Sequence, residues 1–466
     1  MHPRAVRRAA PVLAIALWTG GPAWAEEAPV AAVAAPAEVE PPAPGPRDPL
    51  AGVAGERAFL RSPDNEIVLM PAFRLQMGGG VFPRGEPKGG FFLRRARVEL
   101  AGWLGPAFYF NVGGDFATST AGLVQLPGDA YASFAPADDL FILQVGQFDA
   151  PFTLENRTLD TETTFIERSL AVRAVAAPRN KEVGVMVHGA DSARSIYYSG
   201  GVFNGDGPVL RNPDNQVDVI GRVVLSPLAR TSLEVLRALS LGGSVWYGRH
   251  LAGLPLPRQT TAGGFVVFDP RWTTGRDNPV TLELRERGNM LAFAGELSIP
   301  VNHVFGVRGE GVFKKQDLGE DSILPADGTT VTTLGRAKMQ ALGGYVEAWA
   351  WLLGDDLQLP RPGYQLPIRL RRAGEPTRRH ALQLAARGEF LKIDLTSTQP
   401  VLGDPNLATT RITAGSLAVN YWYGRRVRAS LNYTLSQFGG TTENVKALTA
   451  TGKYQHELMF LVGMNL

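Results

Sequence analysis

The last fourteen residues, Lys453–Leu466, read KYQHELMFLVGMNL. Tyr454, His456, Leu458, Phe460, Val462, Met464 and Leu466 fall on one side of a period-two pattern. Gln455, Glu457, Met459, Leu461, Gly463 and Asn465 fall on the other. One apolar face and one mixed face predict a strand with a greasy side and a polar side. The pattern recurs at 66–79, 91–104, 107–117, 128–136, 139–149, 181–190, 193–204, 217–227, 239–249, 284–298, 302–315, 335–353, 379–395, 410–422, 426–438 and 453–466, which makes sixteen candidate strands. An even number of strands of about ten residues, the last running to the end of the chain, predicts an all-β fold: a transmembrane antiparallel β-barrel. A soluble sandwich would also alternate, but it needs neither this many strands nor a terminal strand of this kind.

The connections alternate in length. Gly105-Pro106, Ala137-Asp138, Asp191-Ser192, Pro300-Val301 and Tyr423-Gly424-Arg425 sit in short links, expected on the periplasmic side. The links at 80–90, 118–127, 150–180, 205–216, 250–283, 316–334, 396–409 and 439–452 are longer and expected to be external. The arginine-rich link 354–378 breaks this pattern. It is either an unusual periplasmic loop or a missed pair of strands.

Charge assigns the faces. A charge facing lipid at the bilayer midplane costs about 2–4 kcal/mol. In FFLRRARVELAGWL, from Phe91, the face with Arg95, Arg97 and Glu99 is therefore expected to line the lumen, and Arg94 to lie at the membrane edge beside Phe91 and Phe92. The same argument puts Arg308, Glu310 and Lys314 inward on 302–315, Arg387 and Glu389 on 379–395, and Arg426 and Arg428 on 426–438. Glu347 makes its face of 335–353 luminal. Trp349 and Trp351 share that face, either inside the pore or turned to the rim by a bulge. Two readings of these charges stand: a basic track for anions, or a wall held by Arg–Glu pairs.

The segment 150–180 lies between two strong strands and carries many charges. A link of this length is expected to be functional, here a loop folded inward to narrow the pore. Glu155, Arg157, Asp160, Glu162, Glu167, Arg168 and Arg173, with Arg179 and Lys181, are the constriction candidates.

Composition narrows the classes further. Arg4, Arg7 and Arg8, the apolar run Ala9–Gly20 and Ala23-Trp24-Ala25 form an export signal, expected to be cleaved near Ala25 (1–25). Residues 26–64, rich in alanine and proline, are expected to form a disordered periplasmic leader, and 65–466 the barrel. The precursor has 47 basic and 44 acidic residues. Losing three signal arginines leaves a near-neutral chain, so the charge balance supports no nucleic-acid partner. There is no cysteine, and the histidines show no metal-ligand spacing. No GxSxG and no clustered nucleophile and base appear, so no enzyme is expected. No metal or organic cofactor is implied.

Five segments stand out in order along the chain: GFFLRRARVELAGWLGPAFYFNVGGDF at 90–116, DAYASF at 129–134, LQVGQFDAPFTLE at 143–155, FIERS at 165–169 and GVFNGDG at 201–207. Together they resemble the phosphate-selective porin O and P family, with Phe92, Leu93, Arg94, Arg95, Arg97, Gly105 and Asp115 in the family's pattern. The resemblance covers about residues 65–466. It implies a sixteen-stranded outer-membrane porin, commonly a homotrimer, with its third long loop folded into each pore and luminal arginines and lysines attracting phosphate or related anions. The expected surroundings are outer-membrane lipid and lipopolysaccharide, the barrel-assembly machinery and small anions as permeants. The expected function is diffusion of small hydrophilic solutes with a preference for anions. A non-selective porin and a structural or adhesive barrel with a blocked lumen are the alternatives.

Overall fold

The computed structural model describes residues 49–54, 57–82, 89–117, 128–173, 180–208, 211–233, 236–274, 280–301, 303–323, 331–354, 363–368, 380–397, 409–424, 426–439 and 453–465. The export signal, most of the leader and Arg179 lie outside them.

Sixteen antiparallel strands close into a barrel. They are β3 (Ile67–Val81), β4 (Gly90–Leu104), β5 (Phe108–Asp115), β6 (Ala130–Phe134), β7 (Ile142–Asp149), β8 (Lys181–Ala190), β9 (Ile196–Phe203), β10 (Asp218–Leu225), β11 (Ser240–His250), β15 (Val280–Pro300), β16 (Phe305–Ile323), β17 (Val331–Leu353), β18 (His380–Ser397), β19 (Thr409–Tyr423), β20 (Val427–Gly439) and β21 (Tyr454–Asn465). Each pairs with the next, and β21 returns to β3 with Met464 opposite Leu75 and Phe460 opposite Gly79. Closure leaves no edge strand, so every backbone ladder is satisfied within the wall, as hydrocarbon demands. Each predicted span overlaps one barrel strand. Among the described residues no helix is long and apolar enough to cross a membrane; the strands make the crossing.

Alternation sorts the side chains. On β3, Phe73, Leu75 and Met77 are exposed outward, while Met70 and Gln76 are buried inward. On β10, Val219 and Val223 face out, and Ile220 and Arg222 face in. Aromatic pairs mark both rims of the apolar band. At the short-turn end, Phe108 meets Phe134 with ring centroids 5.0 Å apart, and His380 Nδ1 lies 2.8 Å from the Tyr421 hydroxyl. At the long-loop end, Phe91 meets Phe460 at 5.8 Å, and the Tyr433 hydroxyl lies 2.8 Å from His456 Nδ1.

Shorter strands extend the wall or pair separately from it. β1 (Ala51–Ala54) and β2 (Arg57–Arg61) form a hairpin, and β2 pairs onto β3 through Leu60 and Leu69. This hairpin falls within the stretch read as a disordered leader. Its Phe59 packs with Met70, Trp103 and Ile142, so the apolar positions between the prolines of 26–64 suffice to order its end. The link 250–283, read as external, carries β12 (Gln259–Thr260), β13 (Val266–Phe268) and β14 (Arg271–Thr274) between β11 and β15. Its Leu256, Phe268 and Trp272 join Phe152, Leu170 and Trp246 in a buried apolar cluster. The upper lumen is thus packed like a protein core; full burial of one such side chain contributes about 1.5–3 kcal/mol.

Candidate functional site

The site is the lumen, and residues 150–173 of the loop after β7 divide it. The loop leaves β7, crosses the barrel and is held on the far wall by the side chains that alternation points inward. Backbone N–H groups of Leu154 and Glu155 donate to the Glu310 carboxylate on β16, with Glu155 N 3.2 Å from Oε2. The N–H of Leu170 donates to Glu389 on β18 at 2.7 Å. Arg387 donates to the Glu167 carbonyl at 3.1 Å and lies 3.5 Å from both Glu155 and Glu389. Its guanidinium also sits 4.3 Å from the Phe165 ring centre. Arg308 pairs with Glu347, and both bond the Thr164 hydroxyl. The Thr164 carbonyl accepts from Asn420 at 2.7 Å and from Arg428 at 3.3 Å.

These contacts have a local reason. The turn of the loop around Thr164 and Phe165 exposes backbone groups that a buried segment must satisfy. The wall supplies carboxylates for its N–H groups and guanidinia for its carbonyls. Phe165 packs against Trp349, Trp351 and Trp422, which places both β17 tryptophans inside the barrel, not at the rim. Gly343 on β17 lets the loop approach closely: a Cβ there would lie 2.9 Å from the Ala171 Cβ.

The opposite wall is organised around Asp160. Its Oδ2 lies 2.6 Å from Arg95 Nε, 3.9 Å from Arg74 Nη1 and 4.0 Å from Arg97 Nη2, and its Oδ1 lies 3.1 Å from Arg168 Nη2. Burial alone pushes this carboxyl up, but Arg95, then Arg168, Arg97 and Arg74, outweigh it and hold Asp160 well below the usual carboxylate range. Glu155, on the anchored side, behaves oppositely. Its burial is only partly offset by Arg387, and its pKa is raised.

Arg94 corrects the sequence reading. A register shift between Gln76 and Met77 on β3 makes Arg94 the extra residue of a bulge. Its guanidinium turns inward to pair with Glu167 of the loop and does not sit at the membrane edge. Burial raises the Glu167 carboxyl, and Arg94 and Arg173 bring it below its ordinary value.

The remaining candidates take varied places. Glu99 lies 3.4 Å from Arg97. Lys314 is buried on the inward face of β16. Arg426 falls in the turn before β20 and is exposed, because that strand starts one residue later than its pattern suggests. Arg157 is almost wholly buried and donates to the Asp149 carbonyl at 2.7 Å, bracing the base of the loop. Arg168 donates to the Glu155 and Thr158 carbonyls within the loop. Arg173 reaches the Thr260 carbonyl at 3.2 Å and so joins two inward loops. Lys181 belongs to β8 and pairs with Asp129 at 2.5 Å and Asp149 at 2.7 Å.

Two further segments enter the barrel. Thr261 bonds Glu457 on β21, and Gly263 N donates to the same carboxylate at 2.9 Å. At the short-turn end, residues 363–368, which with Gly354 are the described residues of the link 354–378, form no strand and lie against the inner wall. Gly363 carbonyl accepts from Arg222 at 2.8 Å, Gln365 donates to Asp149 at 2.8 Å, and Ile368 carbonyl accepts from the Trp103 indole at 2.8 Å. Arg222 itself pairs with Glu296 at 2.6 Å. Arg74, Arg222 and Glu296 were missed in the sequence. All three occupy inward positions of strands whose alternate residues are apolar, and the face rule applied to them would have found them.

Between the Asp160 side of the loop, β3–β8 and residues 363–368 lies a chamber of about 430 Å³. Its lining includes Arg57, Arg74, Arg95, Arg97, Arg157, Arg168, Lys181 and Arg194 against Glu99, Asp129, Asp139, Asp149, Asp160 and Glu162. Among the described residues no cluster of three or more metal-ligating side chains occurs.

A protein-family model described as phosphate-selective porin O and P matches residues 82–460. No curated protein matches the chain. Similar solved structures include the trimeric, in-vitro folded OmpT of Vibrio cholerae, at 10% identity over 86% of this chain and 99% of that one, TM-score 0.49. An anion-selective porin from Comamonas acidovorans is 9% identical over 86% of this chain and 100% of that one, TM-score 0.46. The DcaP channel of Acinetobacter baumannii is 8% identical over 87% and 99%, TM-score 0.46.

Proposed function

The chain belongs to the phosphate-selective porin O and P family and is an outer-membrane porin; from the basic wall of its chamber we propose that it passes small hydrophilic solutes with a preference for anions such as phosphate. The observation that carries this reading is the convergence of Arg74 and the Arg95–Arg97 pair from two adjacent strands, with Lys181 nearby, on one chamber that holds more cationic than acidic side chains. In a channel walled by protein, such fixed charges lower the entry cost of an anion and raise that of a cation. Their reach is about 8 Å at physiological salt, so they act on what is inside the chamber and little beyond it. The pore-lining role of Arg95, Arg97 and Glu99 and assembly as a homotrimer belong to the same proposal.

A second reading, a porin with no preference, draws on the close pairing of those arginines with Asp115, Glu99 and Asp160. Reversal potentials across a planar bilayer in a KCl gradient separate the two. A potential displaced toward that of chloride, and shrinking as salt rises, supports the anion preference. A potential near zero leaves a non-selective porin, and correctly folded protein with no conductance points to a blocked, structural barrel.

A further inference from the structure

The centre of the arginine cluster is already filled by a carboxylate, and that carboxylate belongs to the loop. Four guanidinia, from β3, β4 and the loop, surround Asp160 at 2.6, 3.1, 3.9 and 4.0 Å. A carboxylate has two oxygens with about four acceptor positions, whereas each guanidinium carries five N–H donors. The mismatch is visible. Arg74 Nε, Arg74 Nη1 and Arg97 Nε are buried with no hydrogen-bond acceptor among the described residues. Arg97 is itself about nine-tenths buried, at 9% exposure. The cluster therefore has donors that Asp160, together with Asp115 and Glu99 beside it, leaves unsatisfied. A tetrahedral oxyanion carries more acceptor oxygens and suits a group of guanidinia.

The other carboxylates here are held differently. Asp115 is on β5 and accepts from the backbone N–H groups of Ala96 and Ala117 at 3.0 and 3.2 Å, which fixes it to the wall. Asp160 sits at a tight turn, where Glu162 N donates to the Leu159 carbonyl at 2.8 Å. The loop's anchors on the far wall hold Leu154, Glu155, Thr164 and Leu170, not Asp160. None of those anchors runs through Asp160, so exchange of its carboxylate does not require their release.

We propose that Asp160 is a tethered counter-anion occupying the oxyanion site of this pore, so that phosphate or another tetrahedral oxyanion binds by exchange with this carboxylate. The inference rests on the anion-preferring reading. It adds a residue that sets the strength of binding: Asp160 keeps the cluster from retaining an oxyanion too long to conduct it.

The test measures block of single-channel chloride current by inorganic phosphate in wild type, Asp160→Asn, Asp160→Glu and Glu310→Gln. Asp160→Asn removes the competing charge, and its apparent phosphate affinity rises about tenfold, the change that about 1.4 kcal/mol produces. Its reversal potential moves further toward that of chloride. Asp160→Glu keeps the charge and blocks like wild type. Glu310→Gln loosens the loop on the far wall and raises conductance without tighter block. Unchanged or weaker block in Asp160→Asn overturns the exchange, whatever the wild type prefers. So does equal tightening in Glu310→Gln, which would trace the effect to loop release. A wild type that favours cations beside an Asp160→Asn variant that favours anions would instead remove the anion-preferring reading and keep the exchange.

Discussion

The two walls of the lumen carry the same kinds of side chain and use them differently. On β16–β20, Arg308, Glu310, Glu347, Arg387, Glu389 and Arg428 are spent on the loop, whose N–H and carbonyl groups they satisfy. On β3 and β4, Arg74, Arg95 and Arg97 share one loop carboxylate and border the open chamber. An arginine that alternation turns inward is therefore not yet a selectivity residue. Whether it fixes the size of the pore or acts on its contents depends on what the loop presents to it.

That division is most sharply broken at Arg387. Its side chain is 4% exposed and binds Glu155, Glu389 and the Glu167 carbonyl. Arg387→Met leaves two buried carboxylates without it, a loss of about 3–5 kcal/mol. We expect a lower thermal midpoint by circular dichroism in detergent and a larger single-channel conductance as the loop comes away. Equal conductance and midpoint would mean that the far wall does not hold the loop.

A smaller effect is expected at the short-turn end. Gly363 has φ +77 and a Cβ there would lie 2.7 Å from Arg222 Nη2. Gly363→Ala imposes about 1–2 kcal/mol of left-handed strain and pushes against the guanidinium that holds the segment. Faster limited proteolysis within 354–378, with the barrel's thermal midpoint nearly unmoved, would show that 363–368 is seated separately from the wall.

Acidification should do least. The Asp160 carboxyl is held well below the usual range. A depressed folded pKa contributes stability that is present above the unfolded value, about 3.9, and is lost as pH falls through the folded value. Glu155 is raised; its protonation as pH falls relieves the burial of its charge and favours the folded loop. The Asp160 part of the pH dependence of conductance is therefore expected only in strong acid, below about pH 4, where unperturbed aspartate titrates, while Glu155 responds at higher pH. A step above about pH 4 that Asp160→Asn abolishes would mean that Asp160 is not held by its arginines.

Much of this was legible in the alternation. The barrel, its sixteen strands, the inward faces of β16, β18 and, apart from Arg426, β20, and an inward loop after β7 all follow from a period of two and the cost of charge in lipid. The features that escaped are those in which the period fails or in which no strand is involved. Arg94 faces inward because a bulge adds one residue to β4, and a bulge leaves no mark in alternation. Residues 363–368 and the segment around Thr261 are held in large part by backbone carbonyls and amides, which every sequence has, with the Gln365 amide and the Thr261 hydroxyl adding side-chain bonds. The partition of the luminal charges between anchoring and chamber depends on the path of the loop, and that is set by contacts far apart in the chain: 65 positions for Arg95 and Asp160, 156 for Leu154 and Glu310, and 264 for Thr164 and Arg428.

The division between the walls is tested most directly by recording conductance and reversal potential together, in a KCl gradient, for the paired variants Arg95→Gln/Arg97→Gln and Arg387→Met. The chamber pair should move the reversal potential away from that of chloride with little change in conductance. Arg387→Met should raise conductance with a smaller change in reversal potential. If both variants shift the two quantities in the same proportion, the walls do not have separate roles and the account is wrong.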